Sequence, residues 1–193
     1  VATRVVAIAG VGALGSHVGQ FLRAVPNVSM RAIDFDRVET KNVLSQFHAA
    51  KMVGRNKAEA FKQTMDFLFR VKVEVRAVRI TGDNVRHLLG DTDLVLDCLD
   101  NGESRKLIQD FIRRADIPCL HGALSAGGIY GVSTWDEQFD IDYGSAGVAT
   151  CEGGEHLPFI SEVAAAVARS AQLFLEKGEK TGYQIHPGGS FVT

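Results

Sequence analysis

The segment that most constrains this chain is its first strand-like run, RVVAIA over Arg4–Ala9, which passes directly into Gly10-Val11-Gly12-Ala13-Leu14-Gly15. A run this apolar suits a strand buried on both faces, as in a parallel sheet. Glycines at the first, third and sixth positions after it, followed by an amphipathic segment to about Val25, have a defined use. Gly10 permits the tight turn, Gly12 lets backbone N–H groups approach phosphate oxygens, and Gly15 lets helix and strand pack closely. The helix N-terminus adds partial positive charge. Asp34 and Asp36 lie about 20 residues beyond Gly15, at the end of a second strand, where a carboxylate can accept hydrogen bonds from ribose hydroxyls. The pattern fits a nucleotide and does not separate NAD(H) from ATP. A glycine-rich turn without a ligand is the plainer alternative.

Further along, short β-rich runs alternate with amphipathic segments. Strands are predicted over Met30–Asp34, Val71–Val78, Asp93–Asp97, Pro118–Ala123 and Gly128–Trp135, and helices over Lys57–Phe69 and Glu103–Ala115. After Trp135 the periodicity stops for about 25 residues rich in glycine and acid, up to Pro158, and long connections of this kind are usually functional. A helix from about Ser161 to Glu176 follows, closed by Gly178 as a C-cap, with Ala164–Ala166 suited to close packing. Tyr183–Ile185 and Ser190–Val192 flank His186-Pro187-Gly188-Gly189 as a terminal hairpin. The expected fold is a doubly wound, mostly parallel, Rossmann-like α/β sheet with helices on both faces and a long crossover loop in the C-terminal half. Residues 1–193 are expected to form a single domain, nucleotide-binding over about 1–115 and partner-facing beyond.

The net charge of −2 conceals an uneven distribution. Up to Arg114 there are 18 Lys and Arg against 13 Asp and Glu; from Ala115 to Ala168 there are eight acids and no base. Near-neutral bulk charge argues against an extended nucleic-acid footprint. The acidic stretch is either a solvated loop or a surface that attracts a basic partner. Three cysteines, an odd number, suit a reducing cytoplasm, and the longest apolar runs are too short to span a bilayer. No secretory signal is visible, and the chain does not begin with Met, so residues are expected upstream.

Three further motifs separate ATP from NAD. Ile33-Asp34-Phe35-Asp36 through Asn42-Val43-Leu44-Ser45-Gln46 resembles the acidic strand end and Asn-Leu-x-Arg-Gln stretch of the E1-like adenylyltransferases, the superfamily of ThiF, MoeB and ubiquitin-activating adenylation domains. Gly54-Arg55-Asn56-Lys57-Ala58-Glu59 is similar to its Gly-x-x-Lys-Ala-Glu motif, and Asp97-Cys98-Leu99-Asp100-Asn101 with Arg105 to its Asp-x-x-Asp-Asn-x-x-x-Arg motif. The resemblance implies ATP and Mg²⁺ as cofactors. By it, Asp36 holds the ribose, Asn42 and Lys57 contact phosphates with Gln46 alongside, Asp100 holds Mg²⁺, and Arg105 orients Asp100 or the incoming carboxylate. The implied substrate is a small ubiquitin-like or sulfur-carrier protein ending in Gly-Gly, whose C-terminal carboxylate is adenylylated, and the implied assembly is a homodimer or an E1-like heterodimer. A relative acting on a modified-tRNA or peptide carboxylate, and a catalytically weakened scaffold subunit, are the alternatives.

Two departures favour the scaffold: Ser45 stands where the family has arginine, and no arginine-bearing N-terminal helix precedes the first strand. Arg55 or Lys41 is a conjectural substitute for the missing cation. Cys98, Cys119 and Cys151 have no Cys-x-x-Cys spacing, so no four-thiolate zinc site is expected. Cys98 and Cys119 are expected in the core. Cys151 lies where some relatives place a thiol that receives the activated carrier; His156 would lower its pKa, while Glu152 and Glu155 would raise it.

Overall fold

In a computed structural model, residues 2–125, 127–141 and 154–193 are described. The elements run β1 (Arg4–Ala9), α1 (Ala13–Leu22), β2 (Val28–Ile33), α2 (Lys57–Phe69), β3 (Val73–Arg76), α3 (Val85–Leu89), β4 (Leu94–Asp97), α4 (Gly102–Ala115), β5 (Cys119–Leu124), β6 (Gly131–Trp135), α5 (Leu157–Lys177), β7 (Tyr183–His186) and β8 (Gly189–Val192). The strands form one sheet in the order β3-β2-β1-β4-β5-β6-β7-β8.

The first five strands of that order pair in parallel, with Arg4–Ala9 opposite Val28–Ile33 and Val6–Ala9 opposite Leu94–Asp97. From β5 onward the pairing is antiparallel. The expectation of a mostly parallel sheet therefore holds for one half only. The connection from β5 to β6 is a short glycine-bearing turn, which can return the chain only antiparallel, whereas each parallel step needs a crossover.

Alternation along β1 divides the core between the two faces. Val6 and Ile8 pack with Val18 and Leu22 of α1, Phe61 and Met65 of α2, and Val163 and Val167 of α5. Ala7 and Ala9 point the other way, toward Leu88 and Leu89 of α3 and Ile108 and Ile112 of α4. Each of the Val, Leu, Ile, Phe and Met side chains is worth about 1.5–3 kcal/mol when fully buried. Beyond β5 the helical cover is α5, against which Ser133 and Trp135 turn: Ser133 Oγ and Ser170 Oγ are 3.0 Å apart and the Trp135 and Phe174 rings meet at a tilt of 52°.

Several boundaries move. α5 starts at Leu157 rather than Ser161, because Pro158 sits in its first turn, where the absent N–H has no intrahelical partner to lose. Gly178 closes it in the left-handed conformation at φ 73°. β3 is shorter than the alternating run around it, and α3, only five residues long, is too short to show a period. Among the described residues, no helix is long and apolar enough to cross a membrane.

Candidate nucleotide site

The C-terminal ends of β1, β2 and β4 open on one edge, with β1 between a neighbour that leads one way and one that leads the other. In open α/β sheets this is where the ligand crevice forms. Gly10 turns the chain at φ 83°, a conformation that favours glycine, and its N–H donates to Ile33 O at 2.8 Å. A Cβ on Gly15 would lie 1.8 Å from Gly10 O, so only glycine lets α1 begin this close to the turn. A Cβ on Gly12 would meet nothing nearer than Gln46 Nε2 at 4.0 Å. The space beside the α1 N-terminus is open, as a phosphate cradle requires.

Asp34 and Asp36 have separate tasks. Asp34 is buried; its Oδ2 accepts the Val11 N–H and its Oδ1 the Asp36 N–H, each at 2.9 Å. Asp34, expected to meet a ribose hydroxyl, braces the glycine loop from inside with its carboxylate. Burial pushes its pKa up, against the pull of those hydrogen bonds and of Lys57. Asp36 faces solvent and stands 3.4 Å from Lys57 Nζ. The 54–57 stretch makes that meeting possible. Asn56 caps α2 by accepting the Glu59 N–H, while its Nδ2 donates to the carbonyls of Asp34 and Asp36, and Lys57 N–H donates to Asp36 O at 2.8 Å. Lys57 is the first residue of α2, where the helix dipole disfavours a cation. A lysine held there against the dipole suits an anion supplied from outside.

Asn42 is buried, and its Oδ1 accepts the Glu39 N–H while the Glu39 side chain accepts the Asn42 N–H. The Asn42 amide oxygen thus shapes its own turn, and Nδ2 is the group of this side chain that can donate to a phosphate oxygen. Ser45 is fully buried with its hydroxyl toward Asn42 O, so it is no stand-in for a phosphate-clamping arginine. Neither conjectured substitute is drawn in: Lys41 stands 3.6 Å from Glu39, and Arg55 is exposed. Gln46 is buried beside Gly12 with Oε1 unpartnered among the described residues. His48, absent from the sequence-based candidates, places Nε2 2.9 Å from Val11 O and leaves Nδ1 unpartnered among the described residues. Burial lowers its pKa to about 4, so the ring is neutral at pH 7. A lone histidine two residues beyond a motif carries no signal of this role.

On the other flank, the Gly10 turn packs on Cys98 and Leu99. Asp97 is buried and its Oδ1 accepts the Leu99 N–H at 3.1 Å; burial favours its neutral form, but Arg105 and His121 prevail and lower its pKa. Asp100 follows in a solvent-facing turn, and among the described residues no hydrogen bond or ion pair engages its carboxylate. Asn101 then caps α4 by accepting the Ser104 N–H. Arg105 was expected to orient Asp100 or a substrate carboxylate. Its guanidinium is buried, donating to the carbonyls of Leu99 and Gly122 and lying 3.3 Å from Asp97. It holds the backbone immediately before Asp100. A single exposed carboxylate fits Mg²⁺, which is commonly held by one or two carboxylates together with substrate phosphates and water.

A model of the ThiF family matches residues 2–139. The chain belongs to the ThiF family. It is 35% identical over 121 residues to the SAMP-activating enzyme E1 of Haloferax volcanii, covering 62% of this chain and 45% of that protein. The sulfur carrier protein adenylyltransferase of Thermus thermophilus is 33% identical over 121 residues, with the same coverage of 62% and 45%. The chain thus spans less than half the length of these relatives. Among solved structures, E. coli MccB with ATP superposes at a TM-score of 0.77 and 17% identity, covering 98% of this chain and 62% of that one. PaaA does so at 0.75 and 19%, covering 98% and 63%. At these identities the likeness is one of fold.

Within this ThiF chain, Cys119 is buried and Cys98 half-buried, and burial pushes both thiols up. Cys151 lies outside the described residues. His156, once paired with it as a candidate activator, has Nε2 3.5 Å from Glu155, and its ring occupies the space a side chain on Gly128 would need. The acidic stretch is partly internal: Asp136 is buried against Arg113, and Glu137 pairs with Lys180. Those two acids are not available to attract a basic partner.

Proposed function

We propose that this chain is the nucleotide-activating part of an enzyme that adenylylates the C-terminal carboxylate of a small ubiquitin-like or sulfur-carrier protein ending in Gly-Gly. The observation that carries this reading is the arrangement around the Gly10–Gly15 loop: Lys57 against Asp36 on one flank and, on the other, Asp100, unengaged among the described residues. A nicotinamide enzyme has no need of such a cation and metal-binding acid. In the reaction, a carboxylate oxygen of the carrier attacks the α-phosphorus of ATP, forming an acyl–phosphate bond and breaking the bond to pyrophosphate. Lys57 neutralises phosphate charge, Asp36 accepts from the ribose, and Gln46 lines the Gly12 side. Mg²⁺ bound at Asp100 supplies further charge neutralisation at the phosphates. Residues from about 116 onward would receive the carrier. The exposed Phe67 and Leu68 at the end of α2 supply apolar surface for a partner subunit, within the same proposal of a dimer.

A second reading, an E1-like scaffold that binds without adenylating, is favoured by one observation: Ser45 is buried where the family has its arginine. ATP–pyrophosphate exchange with purified Gly-Gly-terminated carriers separates the two. Exchange that falls about 100-fold in Lys57→Ala and in Asp100→Ala supports the enzyme. No exchange by folded wild-type protein with any such carrier supports the scaffold.

A further inference from the structure

Behind the Asp100 turn lies a chain of buried charges that contacts no proposed ligand. His121 on β5 is fully buried, with Nδ1 2.8 Å from Asp97 Oδ2 and Nε2 3.1 Å from Asp136 Oδ1. Both carboxylates are also held from α4. Asp97 faces Arg105, while Asp136 accepts from Gln109 Nε2 at 3.0 Å and from Arg113 Nε at 2.6 Å. Phe139 lies flat on the imidazole, with centroids 4.1 Å apart and planes 6° from parallel, and its carbonyl accepts from Gln109. The Cys119 thiol is the remaining titratable neighbour.

An ionised carboxylate only accepts hydrogen bonds, so a ring with a carboxylate at each nitrogen carries both protons. The interior then balances, two carboxylates against an imidazolium and the Arg105 guanidinium, with Arg113 half-exposed at the rim. Burial opposes the charge on His121, but its partners outweigh burial and raise its pKa to about 11. Both ring nitrogens and both carboxylates are partnered, while Arg105 Nη1 lies 3.3 Å from Asp97 without a hydrogen bond among the described residues, and removal of one member leaves a buried charge uncompensated.

The network joins two parts of the proposed site. Through Arg105 it reaches Leu99 O, directly before Asp100. Through Asp136 and Phe139 it holds the chain as it leaves β6. We propose that His121 is a positioning residue, an imidazolium strut that locks the Asp100 turn and the exit from β6 into one unit, so that Mg²⁺-dependent nucleotide binding depends on a side chain touching neither nucleotide nor metal. The nucleotide consequence rests on the adenylylation reading; the strut does not.

Three measurements test this on wild type, His121→Asn and the near-isosteric Asp136→Asn, the second variant guarding against a misfolded first. In hydrogen exchange, the Leu99 and Phe139 amides are expected to lose protection together by at least about tenfold in each variant, while the Val11 amide on the opposite flank stays within about twofold. In calorimetry, the ratio of ATP Kd without and with Mg²⁺ is expected to shrink by about fivefold. In NMR, the wild-type His121 ring shows no titration near its ordinary pKa of about 6.5. A ring that titrates there, unchanged Leu99 protection in both variants, or equal loss at Val11 overturns the strut. Wild-type protein that binds no ATP overturns the adenylylation reading and the calorimetric consequence, while exchange at Leu99 and Phe139 decides the strut separately.

Discussion

Replacing Lys57 by alanine should separate ligand binding from folding. In the free protein its ammonium is 3.4 Å from Asp36 Oδ2, and the Asp36 side chain is 50% exposed. A pair of that length at a wet surface is worth about 0–1 kcal/mol. Against this, Lys57 sits at the first position of α2, where a cation opposes the helix dipole at a cost of about 0.3–1 kcal/mol. The two contributions nearly offset, so the midpoint of urea denaturation should move by no more than the equivalent of about 0.5 kcal/mol. Binding is a different matter. A charge-assisted contact to phosphate contributes about 1.5–3 kcal/mol, so its loss should raise the Kd for ATP with Mg²⁺ by about 10- to 150-fold. Isothermal titration calorimetry on the two proteins, with denaturation curves in parallel, reads both quantities. Unchanged affinity would refute the assignment of Lys57 to phosphate. A weaker affinity accompanied by an equally large loss of stability would show that the ion pair with Asp36 is its main contribution.

Asp34→Ala should do the reverse: it strands the N–H groups of Val11 and Asp36, and at about 1–3 kcal/mol for each unsatisfied donor the loss of stability in urea should reach roughly 2–6 kcal/mol. His48 should govern acid sensitivity. Its pKa in the folded chain is lowered to about 4, against about 6.5 when unfolded, so the unfolded chain takes up the proton first. The stability that neutral His48 contributes is present above about 6.5 and is lost as pH falls toward 4. Denaturation curves across that window should therefore be flatter for His48→Gln than for wild type.

What the sequence reveals and what it conceals follow from the range of the interactions involved. Lys57–Phe69 emerges with its observed boundaries because its signals are local: an asparagine cap, a glutamate three residues on, and apolar residues at helical spacing. The strand ends bearing Asp36 and Asp100 are equally legible, since the motifs fix how far each acid lies from its strand. Which acid turns inward is not. Asp34 and Asp36 differ only in the direction the chain takes after β2, and that direction is set by Asn56, 22 residues from Asp34 along the chain. Arg105 is one side chain in an α4 rich in charge, and only tertiary packing brings Leu99, Gly122 and Asp97 around it. His121 is harder still to foresee, with partners 24 and 15 residues away on either side. The reversal of the sheet after β5 depends on how a glycine turn folds, which periodicity does not report.

The two acid motifs repeat one construction. At the end of β2 the buried Asp34 accepts the N–H of Asp36, and at the end of β4 the buried Asp97 accepts the N–H of Leu99; each is a carboxylate bonding the amide two residues on. The inner acid shapes the turn, which leaves the outer acid, Asp36 or Asp100, facing solvent. The constructions differ in how the inner charge is compensated. Asp34 is held by backbone N–H groups and by Lys57 nearby, and burial still raises its pKa. Asp97 has a buried guanidinium and an imidazolium beside it, and its pKa is lowered. The Asp100 flank is consequently braced by ions that cannot be hydrated without opening the core, while the Asp36 flank depends on hydrogen bonds and a single lysine whose partner Asp36 is half-exposed. A ribose hydroxyl can rotate to meet its acceptor, whereas Mg²⁺ demands near-octahedral geometry at short distance. On the proposed assignment of Mg²⁺ to Asp100 and of ribose to Asp36, the stiffer support lies behind the stricter ligand, and loss of His121 is expected to affect metal-dependent binding before it affects the ribose side.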